Sequence, residues 1–216
     1  MKSRKILLII GVLLIISSAI WLGSIKVREN RMRQEALELE KEFQNKALEN
    51  KTEESDKSLE VKSEENEEAE SIDRDEITND KAIGVIRIDK LGVLAQIFDN
   101  DRQKTLLKGV GVIETTDMPS SSLDTCSAIA GHRGGKNEKL SFLHIDQLEI
   151  GDEVKVTTEN EVLVYKVTGS EVIEADDWSK FTRDENKSRL ILMACHPYPK
   201  NDKRILIYTE LEKSDK

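Results

Sequence analysis

The order of hydrophobic and polar positions divides the chain into three regimes. From Ile6 to Ile25 the run ILLIIGVLLIISSAIWLGSI carries no charge. At about 1.5 Å per helical residue such a run matches the roughly 30 Å hydrocarbon core of a bilayer, so the pattern predicts a transmembrane helix. Lys2, Arg4 and Lys5 precede it, and Trp21 stands near its far end, where an interfacial aromatic belongs. Apolar character continues past Ala19, which favours an uncleaved anchor over a signal peptide with its h-region at Ile6–Ile16. In the second regime Met32, Ala36, Leu37, Leu39, Phe43, Ala47 and Leu48 follow a rough helical spacing. Beyond Asn50 the apolar residues thin to Leu59, Val61 and Ile72, too few to offset the entropy of ordering. Residues 26–80 therefore read as a solvated stalk, helical in its first half.

The third regime begins at Lys81. Short β-branched runs follow one another at Gly84–Ile88, Leu94–Phe98, Val110–Ile113, Ser127–Ala130, Glu153–Thr157, Val162–Val167, Leu190–Ala194 and Ile205–Tyr208. Alternation such as Val154/Val156 and Val162/Val164 is the mark of half-buried antiparallel strands. Glycines at 109, 111, 131, 134, 135, 151 and 169 punctuate the strand ends. Short helical pieces are predicted at Arg102–Leu107 and Leu140–Gln147. The expected fold class is mainly β, a barrel or sandwich over 81–216, behind an anchor (1–25) and a stalk (26–80).

Charge sharpens this division. Residues 26–80 hold 10 Lys+Arg against 19 Asp+Glu, a net of −9, whereas 81–216 hold 20 against 23, a net of −3. The acidity belongs to the stalk. The C-terminal part has no basic stripe and gives no reason to expect nucleic-acid binding. Orientation is not fixed by charge, because Lys26, Arg28, Arg31 and Arg33 follow the span just as lysines and an arginine precede it.

Candidate chemistry rests on few residues. Two cysteines, Cys126 and Cys195, are too few for a disulfide framework and form no CxxC motif, and a bridge between them would consume the better nucleophile. Cys195 closes the run Leu190–Ala194 ahead of His196-Pro197-Tyr198-Pro199, so its thiol stands where a buried strand opens into a loop. Cys126 reads as an ordinary buried residue. Of three histidines, His132 follows a strand and a glycine, which exposes it to a cleft. His144 lies in an apolar-patterned stretch and reads as a partly buried packing residue. His196 is a candidate lining residue, although neighbours on a strand point to opposite faces. Arg204 begins the last strand, nine residues after Cys195. In an antiparallel pair it would stand beside the thiol, where its guanidinium can favour a thiolate or hold an oxyanion.

Ala130-Gly131-His132-Arg133-Gly134, Leu192-Met193-Ala194-Cys195 and Arg204-Ile205-Leu206-Ile207, in that order, resemble the His, Cys and Arg signature of the sortase family. The resemblance extends over about Ile83 to Leu211. Leu107-Lys108-Gly109-Val110-Gly111 is similar to the segment before the family's third strand, and Phe142–Asp152 to the F-x-x-L-D-x-L-x-x-G-D stretch after its histidine. It implies an eight-stranded β-barrel on the outer face of a Gram-positive membrane, requiring no metal and no organic cofactor. It also implies a cysteine transpeptidase that cleaves an LPXTG-like sorting signal through a Cys195 thioester and transfers the acyl group to an amine. The acceptor is cell-wall precursor or a pilin lysine. His132 takes the role of general acid/base, and Arg204 that of substrate and oxyanion stabiliser. Ala194 and His196, flanking the nucleophile, are the implied substrate-binding positions. The family's TLxTC reads Ile191-Leu192-Met193-Ala194-Cys195 here, with both threonines absent. Gly-His-Arg-Gly and the Cys-x-Pro-Tyr loop resemble the pilin-polymerising class C. The lack of an Asp-Pro-Phe or Asp-Pro-Trp lid motif before Ile83, and of a second apolar span after Leu211, resembles the protein-anchoring class A. A hydrolytic cysteine peptidase and a non-enzymatic tethered binding module are the competing readings.

Overall fold

The computed structural model describes residues 2–54, 81–134 and 141–212, with part of the side chains in the first stretch. Eight strands close a barrel: β1 (Ala82–Ile88), β2 (Val93–Phe98), β3 (Val110–Val112), β4 (Thr125–Ala130), β5 (Glu153–Thr158), β6 (Val162–Glu174), β7 (Ser188–His196) and β8 (Lys203–Leu211). Their order around the barrel is β1-β2-β3-β4-β7-β8-β6-β5. The pairs β2/β3 and β4/β7 are parallel and the rest antiparallel. Closure removes every open edge, which an eight-stranded sheet otherwise leaves as an aggregation hazard. Each predicted apolar run is found as a strand. The main difference is β6, which continues past Gly169 to Glu174 because it pairs with the full length of β8, with a register shift between Val167 and Gly169. The expected helical pieces shrink to α2 (Gln103–Leu106) and a 3-10 turn at Ile145–Gln147.

Side-chain alternation creates two distinct apolar layers. On β7, Leu190, Leu192 and Ala194 point into the barrel with Ile129, Phe142, Val156, Tyr165, Ile205 and Ile207. Ile191 and Met193 point outward and join Ile113, Cys126, Ala128, Ala130, Ile173 and Leu206 in a second cluster, flanked by Leu106, Phe181 and Tyr208. The period of two along each strand assigns these faces.

The N-terminal helix, α1 (Lys2–Glu54), runs without interruption from the expected anchor into the expected stalk. Among the described residues no helix is long and apolar enough to cross a membrane. The predicted span Ile6–Ile25 lies in α1, and half of its side chains are outside the described residues. The stretch 55–80 of the expected stalk lies outside them as well. Farther along α1 the picture of a solvated spacer is corrected. Ala36, Phe43 and Ala47 are buried, and Ala36 packs with Val85 of β1 and Leu94 of β2. Glu40 is buried between two cations: its carboxylate accepts from Arg87 Nε at 3.0 Å and lies 3.7 Å from Lys155 Nζ. Arg87 and Lys155 face one another across β1 and β5. Like charges directly opposite on a sheet repel, so Glu40 offsets a repulsion that the barrel alone would carry. Sequence spacing revealed the helix but not the complementary patch on the barrel.

Phe43 is only 1% exposed, so Phe43→Ala should weaken docking of α1 by about 3 kcal/mol. Hydrogen exchange should then show protection over 36–47 falling about a hundredfold, with β7 and β8 amides unchanged. Unaltered protection over 36–47 would show that this face of α1 is not held by the barrel.

Candidate active site

The site is assembled by strand register. β7 and β8 pair Cys195 directly with Arg204 and His196 with Lys203. β4 and β7 run parallel with Thr125 opposite Ser188 and Ala130 opposite Met193. Carried two residues past the end of β4, that register brings His132 level with Cys195, and Arg133 level with His196. The continuation is real: Gly131 N–H donates to Met193 O at 3.0 Å, and Arg133 Nη1 lies 2.6 Å from His196 Nδ1. Cys195 and Arg204 are thus direct partners on adjacent strands, about 4.8 Å apart in backbone spacing, and the extended β4/β7 register directs His132 to the other side of the thiol.

Parity puts the row on one face. Cys195 shares the outward side of β7 with Ile191 and Met193, Arg204 that of β8 with Leu206 and Tyr208, and His132 follows Ala128 and Ala130. The thiol therefore stands at the end of an apolar floor, partly exposed, between a half-buried imidazole position and a half-buried guanidinium. Arg204 Nη1 donates to its own loop, to Lys203 O at 2.9 Å and Asn201 O at 3.4 Å. Its Nε and Nη2 donors have no partner among the described residues, which leaves part of the fork for a ligand. The loop that returns β7 to β8 is shaped by Asn201, at φ 59°, whose N–H donates to Pro197 O at 2.7 Å.

The segment Gly131–Gly134, which holds His132, is closely packed. A Cβ on Gly131 would stand 2.5 Å from the Phe142 ring, and one on Gly134, at φ 107°, would stand 2.3 Å from Tyr198. His132 O accepts from Phe142 N–H at 2.9 Å. Among the described residues no cluster of His, Cys, Asp or Glu is arranged to hold a metal ion.

Residues 86–212 match the family described as the Sortase domain. The chain belongs to the sortase family. Sortases are, in general, cysteine transpeptidases. Among curated relatives it is similar to Sortase D of Bacillus subtilis (strain 168), 26% identical over 131 residues, covering 59% of this chain and 63% of that one. It is also similar to Sortase A of Bacillus anthracis, 25% identical over 141 residues, covering 65% and 62%. The chain thus spans less than two thirds of the length of these relatives. Among solved structures, Sortase A from Corynebacterium diphtheriae superposes with a TM-score of 0.60 at 26% identity, covering 63% of each chain. Group B Streptococcus Pilus Island 1 Sortase C2 superposes at 0.58 with 30% identity, covering 61% of this chain and 74% of its own.

In this sortase-family chain the remaining candidates sit away from the row. The Ala194 methyl points into the barrel core, so it supplies no side chain to the groove face; Met193 and Ile191 are the outward residues there. His196 points to the face opposite Cys195, as strand parity requires, and is held by Arg133. His144 is exposed rather than packed, with Nδ1 3.4 Å from Gln147 Nε2, because the apolar pattern around it is carried by Phe142, Ile145 and Leu148. Two further residues join the site: Arg133, signalled in the sequence only by its place beside His132, and Tyr198, which closes on Gly134.

The two thiols differ in environment. Cys126 is buried in the outer apolar cluster, and burial pushes its thiol pKa up. A folded-state pKa above the unfolded value means that this group favours folding at low pH and loses that contribution as pH rises past the ordinary thiol range. Iodoacetamide should therefore label Cys195 alone in the folded chain at neutral pH, with Cys126 reacting only after unfolding. Equal labelling of both cysteines in peptide maps would contradict this distinction.

Proposed function

We propose that this chain is a cysteine transpeptidase that cleaves an LPXTG-like sorting signal and transfers the acyl group to an amine, anchoring surface proteins to the cell wall. The observation that carries the reading is the direct pairing of Cys195 with Arg204 at the end of an apolar floor, with His132 directed to their side by the β4/β7 register. The Cys195 thiolate attacks the carbonyl carbon of the scissile Thr–Gly bond, forming a C–S bond and a tetrahedral oxyanion. The Arg204 guanidinium stabilises that oxyanion in a partly dry site, where such hydrogen bonds gain strength. Collapse breaks the C–N bond as His132 gives a proton to the leaving nitrogen, which leaves a thioester on Cys195. An incoming amine attacks the same carbonyl carbon and loses its proton to His132, and the thiolate departs. The partly exposed Met193, Leu106 and Phe181, backed by the fully buried Ile191 and Leu206, give the apolar residues of a sorting signal a surface to pack against.

The uncharged run Ile6–Ile25 supports a single-pass membrane anchor, and the family likeness supports a barrel outside a Gram-positive cell, near sorting-signal-bearing proteins and cell-wall precursor. A second reading is supported by the likeness to the Pilus Island 1 Sortase C2: the acceptor is a pilin lysine, and the product an isopeptide-linked polymer. Water in place of the amine would make the same site a peptidase. A tethered binding module has no need of three reactive groups in one row.

The detergent-purified full chain, incubated with an LPXTG-type peptide library, should carry a peptide thioester on Cys195 by mass spectrometry. Added amine should divert product from hydrolysis to ligation, triglycine representing cell-wall acceptors and a lysine peptide pilins. No Cys195 adduct with any sorting peptide would sink the proposal. Arg204→Lys keeps the charge but loses the planar fork, and kcat should fall about 10²- to 10³-fold with the fold intact. His132→Ala should cost at least about 10²-fold. Stopped-flow acylation rates check both, and wild-type rates would remove the residue concerned from the mechanism.

A further inference from the structure

Beside the reactive row lies a second one, a residue further along each of the first two segments: Arg133 and His196. Arg133 carries a nearly buried side chain, 6% exposed, with all three guanidinium nitrogens engaged. Nε donates to Leu143 O at 3.1 Å, Nη2 lies 2.5 Å from Asp146 Oδ2, and Nη1 lies 2.6 Å from His196 Nδ1. Because a guanidinium only donates, His196 Nδ1 must present its lone pair, which leaves the ring proton on Nε2.

The position of this contact matters more than its strength. Backbone pairing of β4 with β7 ends where Gly131 N–H meets Met193 O. One residue later, the chain turns away, since His132 O accepts from Phe142 N–H. The backbone ladder therefore stops before it reaches His132 and Cys195. Arg133–His196 is a side-chain hydrogen bond that continues the register across that gap, ahead of the packing of Tyr198 on Gly134, and each partner directly follows a member of the reactive row. A desolvated Arg fork engaged at all three nitrogens holds one geometry, unlike a flexible ammonium.

We propose that Arg133 is a positioning residue: through His196 it holds the segment after β4 level with the end of β7, and so fixes His132 beside Cys195. The proposal rests on the transpeptidase reading for its kinetic consequence and on strand geometry for its structural one, and the two are tested separately.

The kinetic arm uses the full chain in detergent with a sorting peptide that acylates the wild type. Arg133→Lys and His196→Leu should each lower kcat for acylation at least about tenfold, as expected for a misplaced catalytic group, with KM within about twofold. His196→Asn, whose Oδ1 can accept in place of Nδ1, should retain kcat within about threefold of wild type. The double variant Arg133→Lys/His196→Leu should be no slower than the worse single one, because both changes break one bond. A purely structural arginine, acting through Leu143 and Asp146, would leave His196→Leu at the wild-type rate and make no distinction between Asn and Leu at 196. Either that result or multiplying effects in the double variant overturns the proposal.

The geometric arm needs no substrate. In a His132→Cys background, neighbouring-strand spacing suits a disulfide to Cys195, and oxidation by glutathione disulfide should close it readily. Adding Arg133→Lys or His196→Leu should slow closure about tenfold, and adding His196→Asn should not. Equal closure rates in all backgrounds would overturn the positioning role even if the wild type acylates no peptide. Failure of acylation with normal closure behaviour would fault the functional reading alone.

Discussion

The parallel pairing of β4 with β7 is the constraint on which the rest of the site depends. Its residue-for-residue register, from Thr125 opposite Ser188 to Ala130 opposite Met193, determines what arrives beside Cys195 when both strands reach their ends. Antiparallel pairing of β7 with β8 does the same on the other side and delivers Arg204. A slip of one residue in either ladder would send a reactive side chain to the opposite face of the sheet. That outcome is blocked by the core, because the slip would also take Leu190, Leu192 and Ala194 out of the barrel interior and force Cys195 and Met193 into it. Hydrophobic burial inside the barrel thus enforces the alignment of polar groups outside it.

The same division into two faces sorts residues that look equivalent by type. Cys126 and Cys195 both point outward, but Cys126 lies deep under the apolar cluster, where burial disfavours a thiolate. Cys195 lies at the open end of β7. His132 and His196 are level with adjacent positions of one register, yet only His132 shares the thiol's face. His196 serves Arg133 on the other side. The prolines after His196 end the strand, and Tyr198 in that loop closes on Gly134, so the segments carrying the histidine and the cysteine brace one another.

Docking of α1 extends the folded unit beyond the barrel. Glu40 sits between Arg87 and Lys155, two cations that face each other across β1 and β5. Burying a carboxylate is costly unless it is paired, and here the pairing also relieves repulsion between its partners. Ala36, with almost no side chain, lets the helix approach Val85 and Leu94 closely. The barrel is thereby joined to the segment that carries the uncharged N-terminal run.

Local pattern by itself determined the eight strands, because alternation and β-branched runs report burial directly, and it determined which residues had reactive side chains. The order of His132, Cys195 and Arg204 was also legible, since it is a property of the chain and of the family resemblance. Three matters were decided only in the tertiary structure. That the first half of the expected stalk docks depended on a complementary patch assembled from β1, β2 and β5. That Ala194 faces the core and His144 faces solvent depended on strand phase and on how a short turn packs. The partnership of Arg133 with His196, 63 residues apart, depended on a parallel register that no local spacing encodes. Sequence period says which side of a strand a residue takes; only the closed barrel says what stands across from it.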